Sequence, residues 1–520
     1  MVFTGFDDNM AAQNNKKIEF GDFQTPIELA RQICSLLFRH GLKPSSIVEP
    51  TCGKGNFIIA SHEFFPNVQE IIGIDINNEH VELARLGFKK NSQSKNSKIK
   101  IYNNDFFTTD WENMFRNLPE PLLIIGNPPW VTNSGLSRIN GNNIPEKTNF
   151  QNHRGIEAIT GKSNFDISEW MLNKLIECIN SKKATLAMLC KTAVARKVLF
   201  NIWKSSQKLK QSEIYHIDTY KHFGANVDAC LLVVSTSLSR ENPDCQVYKN
   251  FNDNASVFTL GYRQGNLIAN IEFFEKWKHL EGKAHYRWRS GIKHDCSNVM
   301  ELHKDNSGFR NGFNELIDLE EEYLFPMLKS SDIANGFIAT PSRWMLVPQH
   351  IIGEDTNRIR KSAPKTWQYL QKYANILDKR ASTVYKKHPR FSVFGVGDYS
   401  FAQWKVAISG FYKKLSFKAI GTYADKSIVL DDTCYFITCR TQKEALFIAG
   451  LLNSDIAKEF FYAFIFWDEK RPITLDKLKR LDFLKLAREL GREDVLKGFL
   501  KQYPEKHDQP LLFSENVSKN

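Results

Sequence analysis

No stretch of the chain reaches the eighteen or so uninterrupted apolar residues of a membrane-spanning helix, and residues 1–17 lack the hydrophobic segment of a secretory leader. A cytoplasmic protein with no membrane association is therefore expected. Cysteine is sparse: nine are scattered over 520 residues, and no two form a CxxC pair. That spacing argues against structural zinc and against a disulfide scaffold. His294, Asp295 and Cys296 stand together, but no further ligands accompany them at suitable spacing, so no metal is expected. A Walker-type phosphate loop is absent, as is a nuclease Asp followed by Glu-x-Lys, and there is no internal repeat or low-complexity tract. Nuclease chemistry is thus not expected.

What is present is ample core material and positive charge. Hydrophobic residues make up 42% of the chain, and its 38 Phe supply more aromatic surface than packing requires. A formal charge of +12 and a pI near 9.0 suit a polyanionic partner, although ordinary basic solubility gives the same balance. At 520 residues the chain exceeds what one core usually supports, so two domains are expected. Thr25-Pro26-Ile27-Glu28 reads as a capping box with Pro at the first helical position, followed by apolar residues at helical spacing. Short β-like runs come at 46–48, 71–74, 99–102 and 122–125, separated by spans long enough for crossover helices. The alternation continues with a helix over 165–179, a buried run over 184–190, a helix over 196–203, and strands over 214–219 and 229–234. Residues 1–244 therefore read as a doubly wound α/β sheet. The composition shift at 240–254, with Pro243 and several Asn, sets the boundary to a second domain, 245–520, that mixes short strands and helices.

Chemistry concentrates at the strand ends. Glu49-Pro50-Thr51-Cys52-Gly53-Lys54-Gly55-Asn56-Phe57 follows the first strand, and its two glycines let a ligand approach the backbone. A tight strand-to-helix turn is the plainer reading of that stretch taken alone. Asp75, before Ile76, ends the second strand, where a carboxylate can grip two ribose hydroxyls. Asp105-Phe106 follows the third, suited to an adenine amino group and its ring; either Asp could instead cap the next helix. Asn127-Pro128-Pro129-Trp130 ends the fourth. The Asn127 side-chain oxygen and the Pro128 carbonyl can each accept a hydrogen bond from an exocyclic NH2, the prolines offer no competing N–H, and Trp130 can lie against the ring. A rigid turn closing a strand is the alternative. Residues 132–164, rich in Asn, Gly, Ser and Lys, suggest a mobile loop over the site.

With these motifs in this order, the chain resembles the gamma-class amino-methyltransferases of DNA, the N6-adenine enzymes of type II restriction-modification systems. The resemblance covers roughly residues 23–234. It implies a Rossmann-like, seven-stranded methyltransferase sheet followed by an α+β target-recognition domain with a helical tail, S-adenosylmethionine as cofactor, and double-stranded DNA as partner. It also implies a separate cognate restriction endonuclease, and we expect a monomer. Phe23, Thr25 and Pro26 match the segment beside the methionine moiety, and Glu49, Thr51, Cys52, Gly53, Gly55 and Phe57 the cofactor loop. Asp75 and Ile76 match the ribose site, and Asp105 and Phe106 the adenine site. Asn127, Pro128, Pro129 and Trp130 match the catalytic segment. Ser163-Asn164-Phe165-Asp166 looks like the segment after the mobile loop. Phe223 looks like the aromatic that stacks with Trp130 on a flipped base, core packing being the alternative. Glu49 replaces the commoner Asp, Thr51 and Lys54 replace small residues, and Trp130 replaces Tyr or Phe. The Lys54 stem can point to solvent.

In the C-terminal half, residues 288–295 and 323–333 look similar to segments of such recognition domains, as does Lys470-Arg471-Pro472-Ile473-Thr474, where Thr474 can cap the next helix. Lys293, Lys386, Lys387, Arg390, Lys470 and Arg471 are the candidate DNA contacts, a solvated loop being the alternative around 385–391. Glutamine-modifying protein methyltransferases also use Asn-Pro-Pro-aromatic to hold a planar amide, though without a large C-terminal domain; cytosine N4 or an RNA base is an alternative substrate on chemistry alone, and a catalytically silent DNA-binding module is a further reading. The large second domain and the positive balance favour duplex DNA, and the intact Asp75, Asp105 and Asn127 favour an enzyme.

Overall fold

The computed structural model describes residues 24–91, 98–131, 166–205, 207–236 and 243–501. Phe23, the loop over 132–164, Ser163 to Phe165, and the chain beyond 501 lie outside them.

The first unit is built on one sheet. Its strands are β1 (Ser46–Glu49), β2 (Glu70–Asp75), β3 (Lys98–Asn103), β4 (Leu122–Gly126), β5 (Ala184–Lys191), β6 (Leu209–Ile217) and β7 (Ala229–Thr236), extended by β8 (Asp244–Tyr248), β9 (Phe258–Arg263) and β10 (Asn266–Ile268). The order is β10-β9-β8-β6-β7-β5-β4-β1-β2-β3. β3, β2, β1, β4 and β5 pair in parallel, and β7 runs antiparallel between β5 and β6. Helices α1 (Ile27–Arg39), α2 (Asn56–Phe64), α3 (Asn78–Asn91), α4 (Trp111–Arg116), α5 (Ile167–Ile179), α6 (Thr192–Lys204) and α7 (Thr219–Phe223) connect or flank the strands.

The period-two pattern within the apolar runs sorts side chains into two cores. Ile47, Ile71, Leu123, Ile125, Leu189 and Leu231 face α1 and α2, whereas Val48, Ile72, Ile124, Leu186 and Leu232 face α5 and α6. Strands buried on both faces need no polar alternation, which is why their sequence is continuously apolar. At roughly 1.5–3 kcal/mol for each fully buried Leu or Ile, these layers fix the register more firmly than local propensity could.

Three findings differ from the sequence reading. The seven expected strands are present but are followed by three more, so the first compact unit runs to Ile271 and the second begins at Glu272. The boundary is not at 244/245, because β8 buries Cys245 and Val247 and pairs in parallel with β6. The capping box does not form. Pro26 is the N-cap of α1, with no side-chain cap, and its carbonyl accepts from Leu29 N and Ala30 N. Thr474 stands at an N-cap position, but its side chain accepts no capping hydrogen bond.

The second unit is α+β, as expected. Its strands are β11 (Arg289–Ser290), β12 (Glu301–Asp305), β13 (Gly308–Arg310), β14 (Leu316–Ile317), β15 (Leu324–Leu328), β16 (Arg343–Leu346), β17 (Trp404–Ser409), β18 (Lys418–Ile420), β19 (Thr422–Tyr423), β20 (Lys426–Ser427), β21 (Val429–Leu430) and β22 (Cys434–Cys439). They form a six-stranded sheet, a four-stranded sheet and a two-stranded ribbon. Helices Phe483–Glu489 and Glu493–Lys501 follow. The two larger sheets meet near Gly291, whose N–H donates to the Cys434 carbonyl at 3.1 Å while Ile292 N donates to Leu430 O at 2.7 Å. A Cβ on Gly291 would lie 2.1 Å from the Asp431 carbonyl oxygen. Because backbone cannot yield as a flexible side chain does, Gly291→Ala is expected to cost about 3 kcal/mol. Urea unfolding followed by tryptophan fluorescence checks this, and a wild-type midpoint would contradict it.

Candidate active site

The chain reverses its direction of sheet growth at β1, which has β2 on one side and β4 on the other. In open α/β sheets a crevice forms outside the carboxyl ends of the strands at such a point. Here the turn from β1 into α2 crosses it. Gly53 and Gly55 have φ of +49° and +83°, and a Cβ on Gly55 would lie only 3.0 Å from that of Ala84. Both positions thus require glycine for conformation, and Gly55 for close approach as well. Asp75 ties the turn down: Oδ2 accepts from Gly53 N at 2.7 Å, and Oδ1 accepts from Asn77 N at 2.9 Å. His80 Nδ1 lies 4.0 Å from the same carboxylate. From the other side, Gln24 Oε1 accepts from Lys54 N at 3.1 Å and the Thr25 carbonyl from Asn56 Nδ2 at 2.7 Å. The Lys54 side chain is exposed.

Glu49 is buried at the end of β1, and its Oε2 has no hydrogen-bond partner. Burial, and secondly the charge of Asp75, push its carboxyl well above the usual range, opposed only by a backbone N–H at Ile58. Cys52 is buried beside it, and burial raises that thiol too, so no thiolate nucleophile is on offer.

Asp105 accepts from Phe107 N through Oδ1 at 2.9 Å, and its carbonyl accepts from Thr109 Oγ1 at 2.6 Å. The neighbouring Phe106 is anchored in an aromatic cluster, 4.8 Å from Trp111 and 6.2 Å from Trp170 between ring centroids. Trp111 Nε1 donates to the Phe106 carbonyl at 2.9 Å.

β4 is wholly buried and delivers Asn127 to the crevice, where the Asn127 carbonyl accepts from Thr51 Oγ1 at 3.3 Å. Pro128 and Trp130 are buried, while Asn127 and Pro129 are half-buried. The segment is fixed at its far end by a residue the sequence reading missed. Lys191, last in β5, donates through Nζ to the Trp130 carbonyl at 3.1 Å and to Asp166 Oδ2 at 2.6 Å. Asp166 caps α5 through Ser168 N at 3.1 Å, and Val131 O accepts from Ile167 N at 2.9 Å. The half-buried Phe223, at the end of α7, meets Trp130 edge-on, with centroids 5.4 Å apart and planes at 69°. The strand-end rhythm carried a signal for Lys191: a lone cation closing a run of seven buried residues needs a local acceptor.

One cleft of about 970 Å³, open to solvent, gathers Thr25, Glu49, Thr51, Cys52, Gly53, Phe57, Asp75, Ile76, Asp105, Phe106, Asn127 and Pro129. Gln24, Asn77, His80, Asn104, Phe107 and Met171 join them without having been singled out. Pro26, Gly55, Pro128 and Trp130 do not line it.

In the second unit the candidate cations divide. Lys293 pairs with Asp295 at 2.6 Å and Arg390 with Asp378 at 2.5 Å, while Arg471 donates to the Asp432 carbonyl. Lys386, Lys387 and Lys470 are exposed. His294 contacts Glu301 at 3.2 Å and accepts from Cys296 N at 3.1 Å. Although burial alone would raise Glu301, His294 and Lys329 hold its carboxyl down at about 2. This is an ion-pair network, and among the described residues no group of three or more His, Cys, Asp or Glu is placed to hold a metal ion. Nor is any described helix long and apolar enough to cross a membrane.

Comparison with known proteins identifies the family. The N-6 DNA Methylase family matches residues 8–201. The type II methyltransferase M.NspV of Nostoc sp. is 47% identical over 473 residues, 91% of this chain and 98% of the relative. The type II methyltransferase M.CvrRI of Paramecium bursaria Chlorella virus XZ-6E is 37% identical over 114 residues, 22% of this chain and 25% of that one. Among solved structures, the type IIL restriction-modification enzyme MmeI in complex with DNA aligns over 97% of this chain and 72% of its own, with a TM-score of 0.51 at 14% identity, a likeness of fold. On the near-complete match at 47% identity, the chain belongs to the type II DNA methyltransferases of the N-6 DNA methylase family.

Proposed function

We propose that this enzyme transfers a methyl group from S-adenosylmethionine to the N6 amino group of an adenine turned out of duplex DNA. We further propose that it works as a cytoplasmic monomer, protecting host DNA alongside a separate restriction endonuclease. The observation that carries the reading is the opening of Asn127 and Pro129 onto the same cleft as Glu49, Asp75 and Asp105.

The residues suit that cofactor. Glu49 offers a buried oxygen that lacks a partner, the complement of an ammonium or sulfonium group. Asp75, held by two backbone N–H groups at the end of β2, lies beside Ile76 where a carboxylate can accept from ribose hydroxyls. Asp105 and the anchored Phe106 suit an adenine amino group and its ring. When bound, S-adenosylmethionine supplies an electrophilic methyl group on a sulfonium.

The rest is positioning. An adenine N6 lone pair is delocalised into the ring and poorly nucleophilic. The Asn127 side-chain oxygen and the Pro128 carbonyl accept its two hydrogens and favour a pyramidal nitrogen, and both interactions strengthen as positive charge builds there. Trp130 and Phe223 offset part of the cost of extruding the base. Lys191 is a positioning residue, holding the Trp130 backbone against the end of β5.

DNA sequenced from cells expressing the protein is expected to carry N6-methyladenine at one sequence context. Asn127→Ala should lower the rate at least about 100-fold while leaving cofactor affinity intact by calorimetry. N4-methylcytosine in its place, or no modified base, would overturn the adenine assignment. Lys191→Met is expected to reduce kcat about tenfold with the cofactor KM unchanged, and Lys191→Arg to restore part of it; a wild-type kcat in the Met variant would refute the positioning role.

Glu49 gives a pH dependence. An acid whose folded value is raised lowers folding stability as pH climbs from the ordinary carboxylate range to that raised value. A cation bound beside it favours the ionised form, so cofactor affinity should increase with pH through the same window, with release of a proton. Calorimetry in buffers of different ionisation enthalpy measures that proton, and it should vanish in Glu49→Gln. Proton release identical to wild type in that variant would exclude Glu49 as its source.

A further inference from the structure

The second unit displays four successive exposed side chains, Phe411, Tyr412, Lys413 and Lys414, in the turn that follows β17. The turn itself is firmly seated. On its near side Gly410 N donates to the Thr433 carbonyl at 2.9 Å and Tyr412 N to Ser409 Oγ at 3.2 Å. On its far side Leu415 and Phe417 are buried, and the Phe417 backbone exchanges two hydrogen bonds with the Asn453 side chain, at 3.0 and 2.8 Å. Rigid feet rule out a floppy loop whose aromatics are exposed for want of structure. Phe411 is 39% and Tyr412 41% exposed, two adjacent rings held in water where their burial elsewhere would be favourable.

The chemistry around the rings narrows what covers them. The Arg471 guanidinium lies 4.9 Å from the centroid of Phe411 and 5.2 Å from that of Tyr435, and it donates to the Asp432 carbonyl. Lys470 beside it is exposed. The patch therefore combines two part-exposed aromatic side chains, one guanidinium already stacked and oriented, and three exposed lysines. A polyanion with flat rings and sugar faces complements that combination, and a protein surface would have to be both acidic and apolar to do so.

We infer that the turn over 411–414, together with Lys470 and Arg471, is a duplex-DNA contact surface of the second unit, its lysines on phosphates and its rings on bases or sugars. This rests on the reading of the protein as a DNA methyltransferase. Because the lysines neutralise phosphates whatever the sequence, they should set affinity and its salt dependence, whereas the rings should affect productive engagement of the modified site.

The test uses the full chain and a labelled duplex containing the sequence context found modified in cells, with a scrambled duplex beside it. The double variant Lys413→Ala/Lys414→Ala is expected to bind both duplexes about tenfold more weakly, and its slope of log affinity against log salt should be smaller by about 2. Phe411→Ala and Tyr412→Ala should each lower kcat/KM for the specific duplex about tenfold with the cofactor KM unchanged. Wild-type affinity and slope in the lysine variant, or wild-type kcat/KM in both aromatic variants, would overturn the inference. All four side chains are exposed, so near-UV circular dichroism should match wild type and exclude misfolding as the cause of a loss. If the wild-type chain methylates DNA and these variants do so equally well, only this inference falls; if the wild type methylates no DNA, the functional reading falls first.

Discussion

The parallel pairing of β1 with both β2 and β4 is the constraint on which the site depends. Val48 stands opposite Ile72 on one side and Ile124 on the other, and Glu49 stands opposite Gly73. This register brings the strand ends out at staggered heights. Asp75 emerges two residues beyond the level of Glu49 and can reach back to Gly53 N, while Asn127 emerges beside Thr51. A slip of one residue in β4 would exchange Leu123 and Ile125 for Leu122 and Ile124 between the two cores and carry Asn127 out of reach of Thr51. The apolar layers therefore set the chemistry's geometry from a distance. A residue such as Ile124 touches no substrate, yet its face assignment decides where the tetrapeptide points.

Within that frame the acids differ by environment. Asp75 accepts from two backbone N–H groups, whereas Glu49 is buried with one oxygen lacking a partner and is pushed towards its neutral form. The pair thus differs in its commitments: the Asp75 carboxylate ties down the glycine turn, and the Glu49 carboxyl keeps one oxygen without a partner. The unsatisfied oxygen of Glu49 is a standing cost to the fold, of the kind that marks binding sites.

Much of this was legible because it depends on local pattern. Strands buried on both faces announce themselves as short apolar runs, and that signal finds β1, β2, β4, β5 and β7 to within two residues, whereas β3 has a single buried residue and β6 begins at Leu209, five residues before the expected strand. The cleft followed from the order of motifs at strand ends. What escaped depends on partners distant in sequence. β8 carries only two buried residues, and its turn-like flanks masked a strand that exists because β6 offers it an edge. Lys191 could be seen as a strand-terminal lysine, but its acceptors come from residues 130 and 166. The Thr-Pro-Ile-Glu segment matches a capping box, yet the carbonyl of Thr25 is drawn instead to Asn56, which fixes the chain's entry into the cofactor turn.

The same reasoning explains why cations in the second unit could not be ranked from sequence. Lys293 and Arg390 look as available as any other basic residue, but each is committed to a nearby carboxylate. Exposed pairs of this kind contribute little to stability, and each would have to exchange its carboxylate for a phosphate before it helped binding. Arg471 is committed differently. It is held to a neutral carbonyl and lies against two rings, so its charge is oriented without being cancelled. Sequence shows the sign of a side chain; only the fold shows whether that charge has already been neutralised. A recognition surface that sets exposed aromatics beside an oriented guanidinium therefore becomes recognisable only once the acids have been placed.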